Sequence, residues 1–252
     1  MLPILDLLKR TNSTEIATQE ASLNIPKIKV TKFLFLCVAL FFCGHLVDAI
    51  VTSENSIRIM TLGFWTGLDT ERNIPTLFST LLLFSSSCLL GINSYIAKFL
   101  QQRRVGYWIL LSFIFLLLAF DEAFSFHERL GEFVSPVLDK YGVGGGLFYF
   151  SWVVPGMLFV GVVFLIFLRF LKSLPMQFRH AFLLSGFVYI CGAIGIEMFG
   201  GAWDERFGRN FIYSLFVGFE EGLEMCGIII FIHTLLSYLQ AQVKQVKITI
   251  QD

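Results

Sequence analysis

The sequence predicts an all-α fold, a polytopic transmembrane bundle of six helices with both termini cytoplasmic. Three observations carry that expectation. The 252 residues are 56% hydrophobic with a mean hydropathy of +0.73, far more apolar than a soluble domain of this length. Apolar runs recur at roughly 20 residues, the length a helix needs to cross about 30 Å of hydrocarbon. Lys and Arg gather at alternate ends of those runs, as the short cytoplasmic loops of a membrane protein require. The formal net charge is zero and no basic stripe with interleaved stacking aromatics occurs, so the expected partner is the lipid bilayer and not nucleic acid.

Residues 1–32 read as a polar cytoplasmic segment that lacks the h-region and cleavage site of a signal peptide. Its opening, "LPILDLLKR", fits an interfacial helix or an unstructured tail equally well. Residues 33–237 form the transmembrane domain, with spans expected at about 33–51, 75–97, 106–126, 147–169, 180–200 and 211–237. Residues 238–252 form a cytoplasmic tail. With the N-terminus inside, 13 of the 19 Lys and Arg residues lie on the cytoplasmic side, Lys27, Lys98, Arg103, Lys172 and Lys244 among them. Of the acids, only Asp6, Glu15, Glu20 and Asp252 lie there. In "NIPT", Asn73 suits an N-cap and Pro75 the first turn of the second span. "DKYGVGGG", 139–146, is a flexible link ahead of the fourth span. Cys37, Cys43, Cys88, Cys191 and Cys226 sit inside apolar runs without metal or redox spacing, and read as small buried packing residues.

The chemistry is carried by acids. "FEEGLEMCGIIIF", 219–231, puts Glu220, Glu221 and Glu224 in a lipid-soluble run. At about 100° per residue, Glu220, Glu224, Tyr213 and Gly227 share a face and Glu221 falls at its margin. If the third helix continues past Phe126, the same rotation gathers Asp121, Ser125, Glu128 and Glu132 in one stripe. It leaves His127 nearly opposite, as a packed or interfacial histidine, unless the helix breaks there. The first span adds His45 and Asp48 one turn apart, and the fifth adds Glu197. Three unpaired carboxylates on one span would cost about 8 to 10 kcal/mol on insertion scales. No Lys or Arg interrupts the six runs to pair with them, which leaves held protons, bound metal or a water-filled cavity as remedies.

Three functional readings follow, and the residues alone leave open whether the protein is an enzyme. The first is a metal-dependent membrane enzyme acting on a lipid or other apolar substrate, in a site opening to the extracytoplasmic side. Glu220, Glu224 and Asp121 would be catalytic, and the same three with Glu128, His45, Asp48 and Glu197 would hold a divalent Fe, Mn or Mg. The Glu-x-x-His spacing of soluble di-iron bundles is absent. The second reading is a proton- or cation-coupled transporter, because buried acids without basic partners are natural ion sites. The third is a non-catalytic subunit or assembly factor of a membrane complex.

The segments "NIPTLFSTLLL" (73–83), "DEAFSFHERLGE" (121–132) and "EEGLEMCG" (220–227) together resemble a group of uncharacterised bacterial multi-pass membrane proteins with Asn-x-Pro-Thr, Asp-Glu…His-Glu and Glu-Glu…Glu segments. The resemblance implies an inner-membrane protein and brings no reaction with it.

Overall fold

The computed structural model describes residues 18–20, 26–55, 60–70, 72–243 and 247–249. Helices account for nearly all of it: α1 (Lys27–Asn55), α2 (Met60–Thr66), α3 (Ile74–Phe99), α4 (Val105–Phe124), α5 (Phe126–Lys140), α6 (Val153–Ser173), α7 (Met176–Ile190), α8 (Glu197–Phe207) and α9 (Phe211–Val243). A π-helical segment, Cys191–Ile196, joins α7 to α8, and a 3-10 turn, Gly146–Phe148, precedes α6. Strand β1 (Thr18–Glu20) pairs antiparallel with β2 (Lys247–Thr249) and ties together the segments flanking the bundle. The interfacial helix expected at "LPILDLLKR" lies outside the described residues.

Five stretches are long and apolar enough to cross a membrane: Lys27–Thr52, Ile74–Phe99, Val105–Phe124, Val153–Ser173 and Met176–Phe207. Their outward surface is apolar, with Leu158 and Leu165 each 70% exposed. In water such a belt would forfeit the burial of many large side chains, so its matching solvent is lipid. This is a membrane protein. The sixth expected run falls within α9, which is not among those five stretches and forms the axis of the bundle. Met225, Ile229 and Leu235 on α9 are wholly buried, and α1, α3 and α7 pack against it.

Polar side chains register the packed helices where lipid offers no hydrophobic drive between them. On the α3–α4 hairpin, Ser87 Oγ donates to the Ser112 carbonyl at 2.7 Å and Ser112 Oγ to the Ser87 carbonyl at 2.8 Å. Asn73 caps α3 through Oδ1, which accepts from the Thr76 N–H at 2.9 Å, with Pro75 in the first turn. That is the arrangement "NIPT" predicts. α1 runs antiparallel to α9: Lys27 Nζ donates to Ser237 Oγ at 2.9 Å, and Thr31 Oγ1 lies 2.8 Å from His233 Nδ1. The start of the first helix and the end of the last therefore share one face of the bundle.

Two expectations need correction. Cys43 and Cys88 are exposed on helix surfaces, so the cysteines do not all serve as buried packing residues. The third helix does not continue past Phe126. It breaks at Ser125, whose φ of 51° and ψ of 48° lie in the left-handed region, and α5 starts afresh at Phe126.

Candidate functional site

The break at Ser125 creates the first part of the site. A left-handed residue turns the chain sharply, so His127 no longer sits opposite Asp121. Asp121 Oδ1 accepts the backbone N–H of His127 at 2.8 Å, and Oδ2 lies 3.0 Å from His127 Nδ1. The carboxylate thus satisfies an orphan donor at the start of α5 while orienting the imidazole. Burial pulls the His127 pKa down, but the Asp121 hydrogen bond and charge, with the charges of Glu224 and Glu122, outweigh it and lift the pKa from 6.5 to about 9. At neutral pH the ring is an imidazolium. The Trp152 ring lies against it, centroids 4.9 Å apart. A regular helix through Ser125 would put His127 nearly opposite Asp121; the break brings the two together, and the sequence shows their spacing but not the break.

The second part is built by close helix approach. At Gly192, in the π segment, a Cβ would stand 2.6 Å from the Glu220 carbonyl oxygen. At Gly227, on α9, it would stand 2.7 Å from the Tyr189 backbone nitrogen. Only glycine permits the two backbones to approach this closely. The π segment also adds rotation ahead of α8, which sets where Glu197 points. Glu197 Oε1 accepts the Trp152 indole N–H at 3.0 Å. Glu220 lies beside Glu197, and Glu224 beside Tyr189. Two carboxyl groups that meet away from water are relieved by a proton, a bound cation or water between them.

All of these groups face one cavity of about 1290 Å³, larger than the roughly 300–1,000 Å³ of ordinary small-molecule sites. Asp121, His127, Glu128, Trp152, Glu197, Glu220 and Glu224 line one end. Trp108, Phe115, Phe167, Phe170, Phe182 and Phe231 line the other. The aromatic end is a tight lattice: the Trp108 ring meets Phe170 at 4.9 Å and Tyr238 at 5.1 Å, and Phe115 stacks on Phe231 at 4.5 Å. From Asp121 to Trp108 along α4 is about 20 Å at 1.5 Å per residue. Trp108, Phe167 and Phe170 are almost fully buried, so this end is close-packed core at the margin of the cavity. Glu221, marginal by helical angle, also faces the cavity.

A family model for a domain of unknown function (DUF8692) matches residues 31–239. The chain belongs to the DUF8692 family. No curated protein and no solved structure matches it. The cavity of this DUF8692 chain is built wholly from residues inside the matched range.

Of the metal-ligand set expected from the sequence, Asp121, Glu128, Glu197, Glu220 and Glu224 line the cavity, whereas His45 and Asp48 do not. Among the described residues, no three His, Cys, Asp or Glu side chains are grouped so as to hold a metal ion. His45 is occupied elsewhere: Nε2 lies 2.9 Å from the Ser214 carbonyl oxygen, and Nδ1 accepts the Leu68 N–H at 3.2 Å. With both ring nitrogens committed to backbone, His45 clamps α1 to the start of α9 and to the loop before α3. Asp48 is also buried off the cavity wall, with Oδ1 unpartnered.

Proposed function

We propose that this membrane protein is an intramembrane enzyme that performs proton-transfer chemistry on a lipid or other amphipathic substrate. The observation that carries the reading is the 1290 Å³ cavity, which joins an acid-bearing end to an aromatic one. In this reading His127, held by Asp121, is the general acid, and the carboxylates of Glu220 and Glu224 receive or relay protons on the facing wall. Three features support these roles. His127 is oriented by a carboxylate, Glu220 lies beside Glu197, and Trp152 links the two halves through its ring and its indole N–H. Reactive groups that the fold already positions lower a barrier by proximity and by electrostatic preorganisation.

The reading includes α9 as a sixth span with both termini cytoplasmic, in the inner membrane. The contact of Lys27 with Ser237 supports it, because the two chain ends share a face only after an even number of crossings. The positive-inside count points the same way. The acid-bearing end then opens away from the cytoplasm.

The test is purified protein in vesicles made from a bacterial total lipid extract, with lipid products followed by mass spectrometry. The reading predicts a product that disappears in Asp121→Asn and in Glu220→Gln while both variants remain folded. A product that persists in both variants contradicts the assigned roles. Elemental analysis of the same preparation bears on the metal-assisted form of the reading: stoichiometric Fe, Mn or Mg lost in Glu220→Gln would restore it. Proton flux across the vesicles without lipid turnover would favour the transporter instead, and stable copurification with a defined membrane complex would favour a subunit role.

A further inference from the structure

We infer that α5 lies in the headgroup region of the bilayer, at the end of the bundle remote from Lys27 and Ser237, with its apolar stripe in lipid and its polar side roofing the cavity. The inference rests on the proposed topology only for which leaflet this is.

The sequence of α5 divides it into two sides. At about 100° per residue, Phe126, Leu130, Phe133 and Val137 fall within about 60° of one another. All four are exposed, Phe133 at 80% and Val137 at 54%, and Tyr141 follows them at 73%. Glu128, Gly131, Glu132 and Ser135 fall on the far side and line the cavity. Arg129 and Lys140 fall along one edge of the stripe, and the Arg129 guanidinium stands 5.8 Å over the Phe126 ring. Interfacial helices divide in this way, with apolar side chains below the headgroups and cations on long stems that reach the phosphates.

The fold sets the depth. The α4 helix starts on the face where Lys27 meets Ser237, because Gln102 Nε2, just before it, donates to Gln242 Oε1 at 3.2 Å. Its 20 residues then rise about 30 Å, one hydrocarbon thickness, before the turn at Ser125. So α5 begins where the hydrocarbon ends. Its own 15 residues, about 22 Å, are too few to cross back. The middle of α5 stays at that level: a Cβ at Gly131 would stand 3.3 Å from the backbone nitrogen of Trp152, immediately before α6. The link after α5 stays there too, since the Gly146 N–H donates to Glu205 near the end of α8.

The occupant of the stripe follows from what it continues. Phe120 and Phe124 are exposed on α4, within the lipid-facing belt. The Phe120 and Phe124 rings stack with centroids 6.3 Å apart, and Phe124 meets Phe126 at 5.7 Å, so one aromatic surface runs from the span onto α5 without a gap. The solvent of its first part is lipid, and the stripe extends the same surface into the headgroup layer. With three carboxylates against Arg129 and Lys140 on α5, apolar burial rather than net charge drives the docking, and a zwitterionic phosphate headgroup suffices. The bilayer surface thereby supports the helix that carries His127.

The experiment is photocrosslinking of the full chain in phosphatidylcholine nanodiscs, with p-benzoylphenylalanine replacing Phe133 in one protein and Asp139, on the far side of α5 and off the cavity wall, in another. Adducts are counted and mapped by mass spectrometry. Phospholipid adducts are expected at position 133 in about tenfold or greater excess over position 139, attached at the glycerol or upper acyl carbons. Equal lipid yields at the two positions, adducts at position 133 mainly to a second copy of the chain, or attachment mainly at the ends of the acyl chains each overturn the inference. Reaction of Glu132→Cys with an impermeant thiol reagent from the cytoplasmic side would overturn the topology and the choice of leaflet alone, leaving the docking of α5 to the crosslinking result.

Discussion

Asp121 and His127 show how much a single backbone residue decides. With Ser125 in a regular helix the two side chains point apart; with Ser125 at φ 51° they bond. Asn at position 121 removes the charge and weakens both contacts, at a cost to stability of about 1–3 kcal/mol. The His127 pKa, raised to about 9 beside Asp121, should then fall, because the hydrogen bond and charge that most offset burial are gone while Glu224 and Glu122 remain. NMR of ¹⁵N-histidine-labelled protein checks this, and a ring still titrating near 9 contradicts the assignment. The sign for stability follows. A pKa raised above its unfolded value stabilises fully below about 6.5, and that contribution is lost as pH rises through about 9. The acids at 121, 220 and 224 could be picked out in the sequence because charge inside an apolar run is costly wherever it sits. The role of His127 was not legible there, since helical angles assume the regularity that Ser125 abolishes.

At the scale of elements, the junction of the π segment with α9 controls the carboxyl pair. Gly192→Ala places a methyl 2.6 Å from the Glu220 carbonyl oxygen and should cost about 1–3 kcal/mol by overpacking. Gly195→Ala, with nothing within 4 Å of its Cβ, should be neutral or slightly stabilising. Thermal unfolding in detergent distinguishes the two, and equal effects would argue against close packing at residue 192. The α4–α5 break gives a parallel pair. Ser125→Gly should be tolerated, whereas Ser125→Val should cost more than about 1 kcal/mol because a β-branched side chain opposes the left-handed conformation. The spans were legible from run length, and α3 even from its cap at Asn73. The π segment and the helix break were not, because local composition carries little trace of a rotation imposed by neighbouring helices.

Over the whole molecule, the apolar belt and the positive-inside asymmetry come from composition, which the sequence displays directly. The gathering of acids from four different elements into one cavity depends on packing around α9, which it does not display. His45 and Asp48 illustrate the gap. They have the residue types of a ligand pair, yet the fold uses His45 as a backbone clamp. With the proposed topology, impermeant thiol reagents should label Glu132→Cys from the extracytoplasmic side and Gln177→Cys from the cytoplasmic side. Labelling of both from one side would contradict the proposed topology.

In the proposed reading, Glu220 and its neighbours hold protons in a cavity reachable by apolar molecules. The most direct measurement is modification by a lipid-soluble carbodiimide, which attacks protonated carboxyl groups, followed by peptide mapping. Labelling should concentrate at Glu197 and Glu220 and fall in Glu220→Gln. Labelling confined to acids off the cavity wall such as Asp139 and Glu205 would contradict it.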